Sequence, residues 1–207
     1  MLLEYLGHAC FRITQDSFSL IIDPYSSGSV PGLADLKEEA NQVICSHDHY
    51  DHYGLSEVKL LNVRVDTPFA LEVIDTYHDD KQGELRGKNN INIITHEDTR
   101  IVHMGDIGCM PEDEQIDKIK GCDVLLIPVG GFFTTAPDIT WEIVKKVNPK
   151  VCIPMHFRSE TFGYDVIGTV DEFLKYADIP AERIGSSLNI DDLGAERRLI
   201  VMTPSKA

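Results

Sequence analysis

Positive charge is what this chain is shortest of. Against 34 acidic residues it sets only 19 lysines and arginines, a formal net charge of −15 over 207 residues. That deficit argues against a nucleic-acid partner, whose binding rests on neutralising phosphates with Lys and Arg. A small anionic substrate remains open, because a bound cation reverses the field locally. Long apolar runs are missing too. Nothing approaches the roughly 20 apolar residues of a membrane-spanning helix, and the opening MLLEYLGHACFRIT carries an early acid, Glu4, with no basic leader. The expectation is a cytoplasmic protein with neither membrane nor nucleic acid among its partners. A disulfide framework is also lacking: Cys10, Cys45, Cys109, Cys122 and Cys152 are odd in number and form no C-x-x-C pair. Each lies in or beside an apolar run, so they read as buried free thiols of a reducing compartment. With no linker, repeat or low-complexity tract, residues 1–207 read as one domain with one core.

Short strand patterns fill the first half. LLEYL, CFRIT, FSLIIDP and NQVICSH are apolar or alternating and are bounded by Gly, Asp, Ser or Pro. ALEVIDTYH, NINIITHE, TRIVHMGD, DVLLIPVGG, KVCIPMH and RRLIVMTP follow. Helical periodicity appears in PEDEQIDKIKG, DITWEIVKKVN and TVDEFLKYA. In the second of these, Ile139, Ile143, Val144 and Val147 form a stripe, with Asp138 as the cap. The pattern predicts an α/β (α+β) protein in which two sheets pack face to face under outer helices. His47, His78, Asp106 and His156 each stand at or just past the end of a predicted strand, where binding and catalytic groups concentrate.

Three of the eight histidines fall within CSHDHYDHYG, residues 45–54. The spacing His47-x-His49-x-Asp51-His52 suits two metal ions better than one, with His47 and His49 sharing one ion and Asp51 and His52 facing another. Imidazole with carboxylate favours zinc, and manganese, iron or nickel could occupy the same side chains. His78 in TYHDD, Asp106 in HMGDIG and His156 in PMHFR are further candidates, each closing an apolar stretch. Two dications about 3.5–4 Å apart need an anionic bridge. Asp106 suits that place, because Gly105 and Gly108 free the backbone to bring it inward.

HDHYDH, followed by His78, HMGD and PMHF, resembles the metallo-β-lactamase superfamily, and GHACFRI with IIDP is similar to its cytosolic branch of metal-dependent hydrolases, the ascorbate-6-phosphate lactonase-like proteins. The resemblance runs from His8 to His156. It implies a four-layer αββα sandwich, the metallo-β-lactamase fold, with two divalent ions at one edge. It gives His47, His49 and His78 to the first ion, Asp51, His52 and His156 to the second, and Asp106 to the bridge. His8, in the GHA turn, is implied to lie beside the metals as a substrate-contacting catalytic candidate. His103 is a candidate to orient Asp106, and His96 reads as a surface residue.

Two such ions lower the pKa of a shared water towards neutrality and polarise a carbonyl or phosphoryl oxygen. The expected activity is hydrolysis of an ester, lactone, amide or phosphodiester, with Asp51 placed both to ligate and to hold the nucleophile. Arg86 and Arg158 are the candidate substrate-binding residues. Arg158 follows His156 by two, which on an extended backbone puts both on one side, and Arg86 lies in the Gly-flanked loop QGELRGKNN. The competing expectation pairs these arginines with Glu84 and Glu160. An iron oxidoreductase of this superfamily would carry Glu in place of His49 and a flavodoxin-like domain, and a ribonuclease of this fold would carry a basic extension; neither is in the sequence. A non-catalytic metal-binding or regulatory protein is the alternative of another class. The expected partner is a small-molecule substrate, and self-association is left open.

Overall fold

The computed structural model describes residues 1–62 and 65–207. Strands β1 (Leu2–Gly7), β2 (Cys10–Gln15) and β3 (Phe18–Ile22) form an antiparallel meander on two-residue turns. The short strands β4 (Glu38–Ala40), β5 (Gln42–Ile44) and β6 (Val58–Leu60) follow, and β7 (Ala70–Tyr77) and β8 (Lys88–His96) make a long hairpin that runs into β9 (Thr99–His103). From there helices and strands alternate: α1 (Asp113–Ile119), β10 (Val124–Pro128), α2 (Pro137–Val147), β11 (Val151–Met155) and α3 (Val170–Leu174). The chain closes with β12 (Ala181–Ile184), β13 (Ser187–Asn189) and β14 (Arg198–Met202).

These strands assemble into a five-stranded sheet, β13-β1-β2-β3-β5, and a seven-stranded sheet, β12-β14-β11-β10-β9-β8-β7, beside a separate β4–β6 pair. Alternation along β1 and β2 sends Leu3, Tyr5, Phe11 and Ile13 into the cluster they share with Ile91, Ile93, Leu125 and Ile153 of the larger sheet. Strands β9, β10, β11 and β14 pair in parallel. Helices α1 and α2 are therefore crossovers, and their common handedness puts them on one face of that sheet. Covered on both faces, VLLIP and VCIPM are buried at every position, and each large aliphatic side chain contributes about 1.5–3 kcal/mol. The outward face of the small sheet is closed differently. Leu6, Cys10 and Ile21 pack there under Tyr25, Val30 and Leu36 of the long β3–β4 loop and Val58 of β6. Among the described residues no α-helix lies in that layer.

Helix ends follow their local chemistry. Glu112 with Gln115, and Thr169 with Glu172, make capping boxes at α1 and α3. Asp138 is not the cap of α2: Ala136 holds that place, Pro137 opens the helix, and Asp138 sits in the first turn. Ile139, expected in the buried stripe, is 38% exposed, and Thr140 and Trp141 are buried with Ile143, Val144 and Val147. All five cysteines are free, with Cys10, Cys122 and Cys152 buried and Cys45 and Cys109 partly so. No helix of the described residues is long and apolar enough to cross a membrane.

Candidate metal centre

The segments that follow β3, β5, β7, β9 and β11 arrive at one rim of the sandwich, where the β1–β2 turn also lies. Backbone geometry aims them. His8, Asp23 and His156 adopt left-handed φ of 58°, 48° and 52°, unusual for non-glycine residues and concentrated at functional sites. The amide of His156 donates to the His8 carbonyl at 2.8 Å, locking two of these turns together. Gly105 is obligatory. Its φ is +55°, and a Cβ there would meet Asn89 Oδ1 at 2.2 Å. That same Asn89 oxygen accepts from the Asp106 amide at 2.8 Å, and its Nδ2 donates to the Met104 carbonyl, so the turn carrying Asp106 is wound onto one buried amide.

The structure brings all seven candidate ligands together. His47, His49 and His78 form one group whose ligand atoms lie within 4.8 Å of one another, and Asp51, His52 and His156 form a second with His8. Asp106 stands between them, its Oδ2 3.3 Å from His78 Nε2, 3.2 Å from His52 Nε2 and 3.1 Å from His156 Nε2. The buried Nε2 atoms of His47, His52 and His156 and Oδ1 of Asp106 make no well-aligned hydrogen bond among the described residues, the close approaches to Asp106 Oδ2 included. Orphaned buried polar atoms are costly, and aimed at one another they are the donor set a dication satisfies. Imidazole and carboxylate, with no thiolate in either group, fit zinc and its first-row neighbours.

A further shell orients these rings. Asp23, fully buried, accepts from His52 Nδ1 at 2.8 Å and from the Ser46 amide and hydroxyl at 2.6 Å each. Ser46 Oγ also lies 2.9 Å from His47 Nδ1, turning Nε2 inward. With its oxygens so engaged, Asp23 steers ligands. His103 bonds the Ala9 carbonyl through Nε2 and accepts from the Gly105 amide through Nδ1; it braces the turn without touching Asp106. His96 bonds the Pro68 carbonyl, outside both groups.

Burial opposes ionisation of Asp106, yet His156 and His52 outweigh it and hold this carboxyl well below its ordinary range. Asp51 is lowered in the same way against burial, by the His8 hydrogen bond and by His52. Burial and then His156 lower His8 to about 4, so it donates to Asp51 as a neutral imidazole, Nε2 to Oδ2 at 3.1 Å. His52 is lifted instead, because Asp106 and Asp23 overcome its burial. Three ionised carboxylates, Asp23, Asp51 and Asp106, thus face the centre, a field that favours cations.

A cavity of about 330 Å³ opens over the Asp106 side, lined by His49, Asp51, His78, Arg86, Phe133 and Tyr164. Arg86 is delivered by the loop after β7. Asp79, next to His78, accepts four backbone amides, from Lys81 and Gly83 on one oxygen and from Leu85 and Arg86 on the other, at 2.8–3.0 Å. Gly83 and Gly87 supply the positive φ that winding needs. The Arg86 guanidinium lies 5.8 Å from the Phe133 ring centre. Among the described residues it makes no ion pair, with Glu84 or any other acid. Tyr164 Oη donates to the Ser29 carbonyl and lies 3.3 Å from Asp51 Oδ2.

Two expectations are corrected. Arg158 is not beside the metals. The left-handed turn at His156 breaks the extended backbone on which same-side projection depended, so Arg158 donates through Nε to the Ile167 carbonyl and lines a separate groove with Thr169 and Arg183. It forms no pair with Glu160 either. His8 is fully buried against Asp51 and His156, so it contacts a ligand residue rather than the cavity. Sequence reasoning missed Asp23, Ser46, Asn89, Asp79, Phe133 and Tyr164. An acid closing the apolar run of IIDP was a usable sign for Asp23; the others become visible only when distant segments meet.

The beta-lactamase superfamily domain profile matches residues 2–156, a span holding every candidate ligand. A UPF0173 metal-dependent hydrolase of Desulforamulus reducens is 26% identical, over 77% of this chain and 85% of its own. Another from Hyperthermus butylicus is 26% identical over 98% and 96%. Among solved structures, a Thermotoga maritima protein described as a Zn-dependent hydrolase of the metallo-β-lactamase superfamily is 30% identical, with a TM-score of 0.75 over 97% of each chain. The fold is shared with an isothiocyanate hydrolase from Delia radicum gut bacteria at 15% identity and a TM-score of 0.67, over 99% of this chain and 97% of that one.

Proposed function

Because the chain belongs to the metallo-β-lactamase superfamily, we propose that it is a cytoplasmic, binuclear metal-dependent hydrolase, with zinc as the native ion, acting on an ester, lactone, amide or phosphodiester bond of a small anionic metabolite. The observation that carries this reading is the position of Asp106 Oδ2, within 3.1–3.3 Å of imidazoles from both histidine groups. His47, His49 and His78 would hold one ion, Asp51, His52 and His156 the other, and Asp106 both. Bound there, divalent ions supply Lewis acidity and a hydroxide nucleophile at neutral pH.

The remaining work falls to the chain's own side chains. His8 fixes the Asp51 carboxylate through its hydrogen bond, and that carboxylate faces the cavity and accepts a hydrogen bond from the attacking water. Arg86 takes the substrate's carboxylate or phosphate as a fork, and Phe133 backs that guanidinium with its π face. A phosphorylated lactone is the first substrate to try, on the resemblance of the GHACFRI and HDHYDH segments. Elemental analysis of protein purified without chelator, paired with turnover on a panel of lactones, esters and phosphodiesters, is the experiment. Two ions per chain with turnover is the expected result. A ceiling of one ion under excess metal defeats the binuclear assignment, and full loading without turnover favours the non-catalytic metal-binding alternative.

A further inference from the structure

Beyond the metal cavity lies a second groove of about 450 Å³, and Arg86 and Phe133 line both. The two spaces adjoin across that stacked pair. Its walls carry Asp79 and Asp80 together with an apolar stretch of Met110, Phe132, Ala136 and Ile139, and the first, second and fourth of that stretch are 37%, 62% and 38% exposed. Large apolar side chains grouped on one patch mark a binding surface more often than single exposed ones do.

Two independent features sit in the loop between β10 and α2, residues 129–136. Phe132 holds a left-handed φ of 59°, a real outlier for a bulky residue and a strained conformation. That turn sets Phe132 on the groove and Phe133 on the metal cavity. Thr134 lines the groove, but its hydroxyl is turned into the protein and sealed from the groove. The next residue is firmly tied, Thr135 donating its amide to the Ile107 carbonyl at 3.0 Å and sharing a 2.8 Å bond with Thr140. A strained, anchored loop that shows an apolar wall beside the metal cavity has the form of a subsite.

We propose that this groove binds an unbranched alkyl or acyl chain of the substrate, so that the substrate is amphipathic: its anionic head lies at Arg86 over the metal centre, and its tail passes the Arg86–Phe133 pair to lie along Met110, Phe132 and Ile139. The head's placement rests on the hydrolase reading above, and the tail's does not. Hydrolysis adds water across the scissile bond, and the groove retains whichever fragment carries the chain.

The test is an equilibrium one. Binding of n-alkylphosphonates from methyl to octyl is measured by titration calorimetry on the metal-loaded protein. Each added methylene should tighten binding roughly three- to fourfold until the groove is filled. Two variants keep the fold. Ile139→Asp adds an acid to the first turn of a helix, where acids are favourable, and Phe132→Gly relieves the left-handed backbone. Both should flatten the series to below twofold per methylene and leave methylphosphonate affinity unchanged. A flat series in the unaltered protein, or a slope that survives both substitutions, overturns the proposal. The slope is read without turnover, so a protein that shows it yet hydrolyses nothing defeats the hydrolase reading and leaves the groove assigned.

Discussion

One oxygen, Asp106 Oδ2, is common to both histidine groups, and that shared position separates Asp106 from every other ligand candidate. Removing His49 strips one group; removing Asp106 strips the link between both. Asp106→Ala should lower the metal content from two ions per chain to one or fewer, and His96→Ala, which only loses a bond to the Pro68 carbonyl, should keep two. Elemental analysis of both variants decides it, and full occupancy in Asp106→Ala would sink the bridging assignment. Protons supply a second probe at this scale. Burial first, then neighbouring imidazoles, lower His8 to about 4 and His47 to about 3. Their unfolded counterparts titrate near 6.5. Between about pH 6 and 4 the unfolded chain therefore binds more protons than the folded one, and stability falls as pH falls. His52 is raised and has the opposite sign: its contribution is complete below 6.5 and is lost only as pH rises through its folded value, so it does not offset the acid loss. The metal-free protein should show a progressively lower Tm at pH 6, 5 and 4. A Tm that stayed level over that span would mean these histidines are not held neutral.

At the scale of elements, the β7–β8 hairpin and its loop are the working part of the rim, because one carboxylate organises the turn from Asp79 to Arg86. Asp79 gathers the amides of Lys81, Gly83, Leu85 and Arg86, which places the Arg86 side chain at the cavity. Arg86→Ala should raise KM for an anionic substrate about tenfold or more, the loss of a charge-assisted pair, and Arg158→Ala should leave it within about twofold. Asp79→Asn removes the charge that draws four donors. It should move KM in the same direction as Arg86→Ala and speed hydrogen exchange at those four amides, and unchanged exchange there would show the loop to be held by other means. Much of this scale was legible beforehand. Apolar runs ending at His47, His78 and His156 marked strands and the ligands after them, since period and punctuation are local properties. The reading failed where the backbone left its regular path. At His156 a left-handed residue turned Arg158 away, and at α2 the buried arc is centred on Thr140, Val144 and Val147, so Ile139 lies off its edge and faces outward while Trp141 is buried. Asn89, Tyr164 and Phe133 carry no local signal. Their roles exist only because β8, the segment after α2's strand partner β11 and the loop after β10 meet.

For the whole molecule, the net charge of −15 and the site's three ionised carboxylates have one consequence in common. Without metal, like charges and unpartnered imidazoles are buried where two large sheets close on each other, and the rim they occupy ties the first strands to the last parallel ones. Metal bound to the folded state alone stabilises it by mass action, about 4 kcal/mol per site when free metal stands a thousandfold above its dissociation constant. For a chain of this size each kcal/mol moves Tm by about 2–4 °C, so one site accounts for about 8–16 °C and a second adds to it. Chelator-stripped protein should therefore unfold at least about 10 °C below the loaded form at pH 7.5. Readdition of zinc should restore Tm in two stages if the groups fill in sequence, or in one if Asp106 couples them. Raising the salt concentration should narrow the gap, because screening relieves the stripped state's surface repulsion more than it alters a buried donor set. Calorimetric scans across a zinc titration read all of this at once. A stripped protein that melts with the loaded one would show that the histidine–aspartate rim binds no metal in its folded state, and the binuclear centre would have to be abandoned.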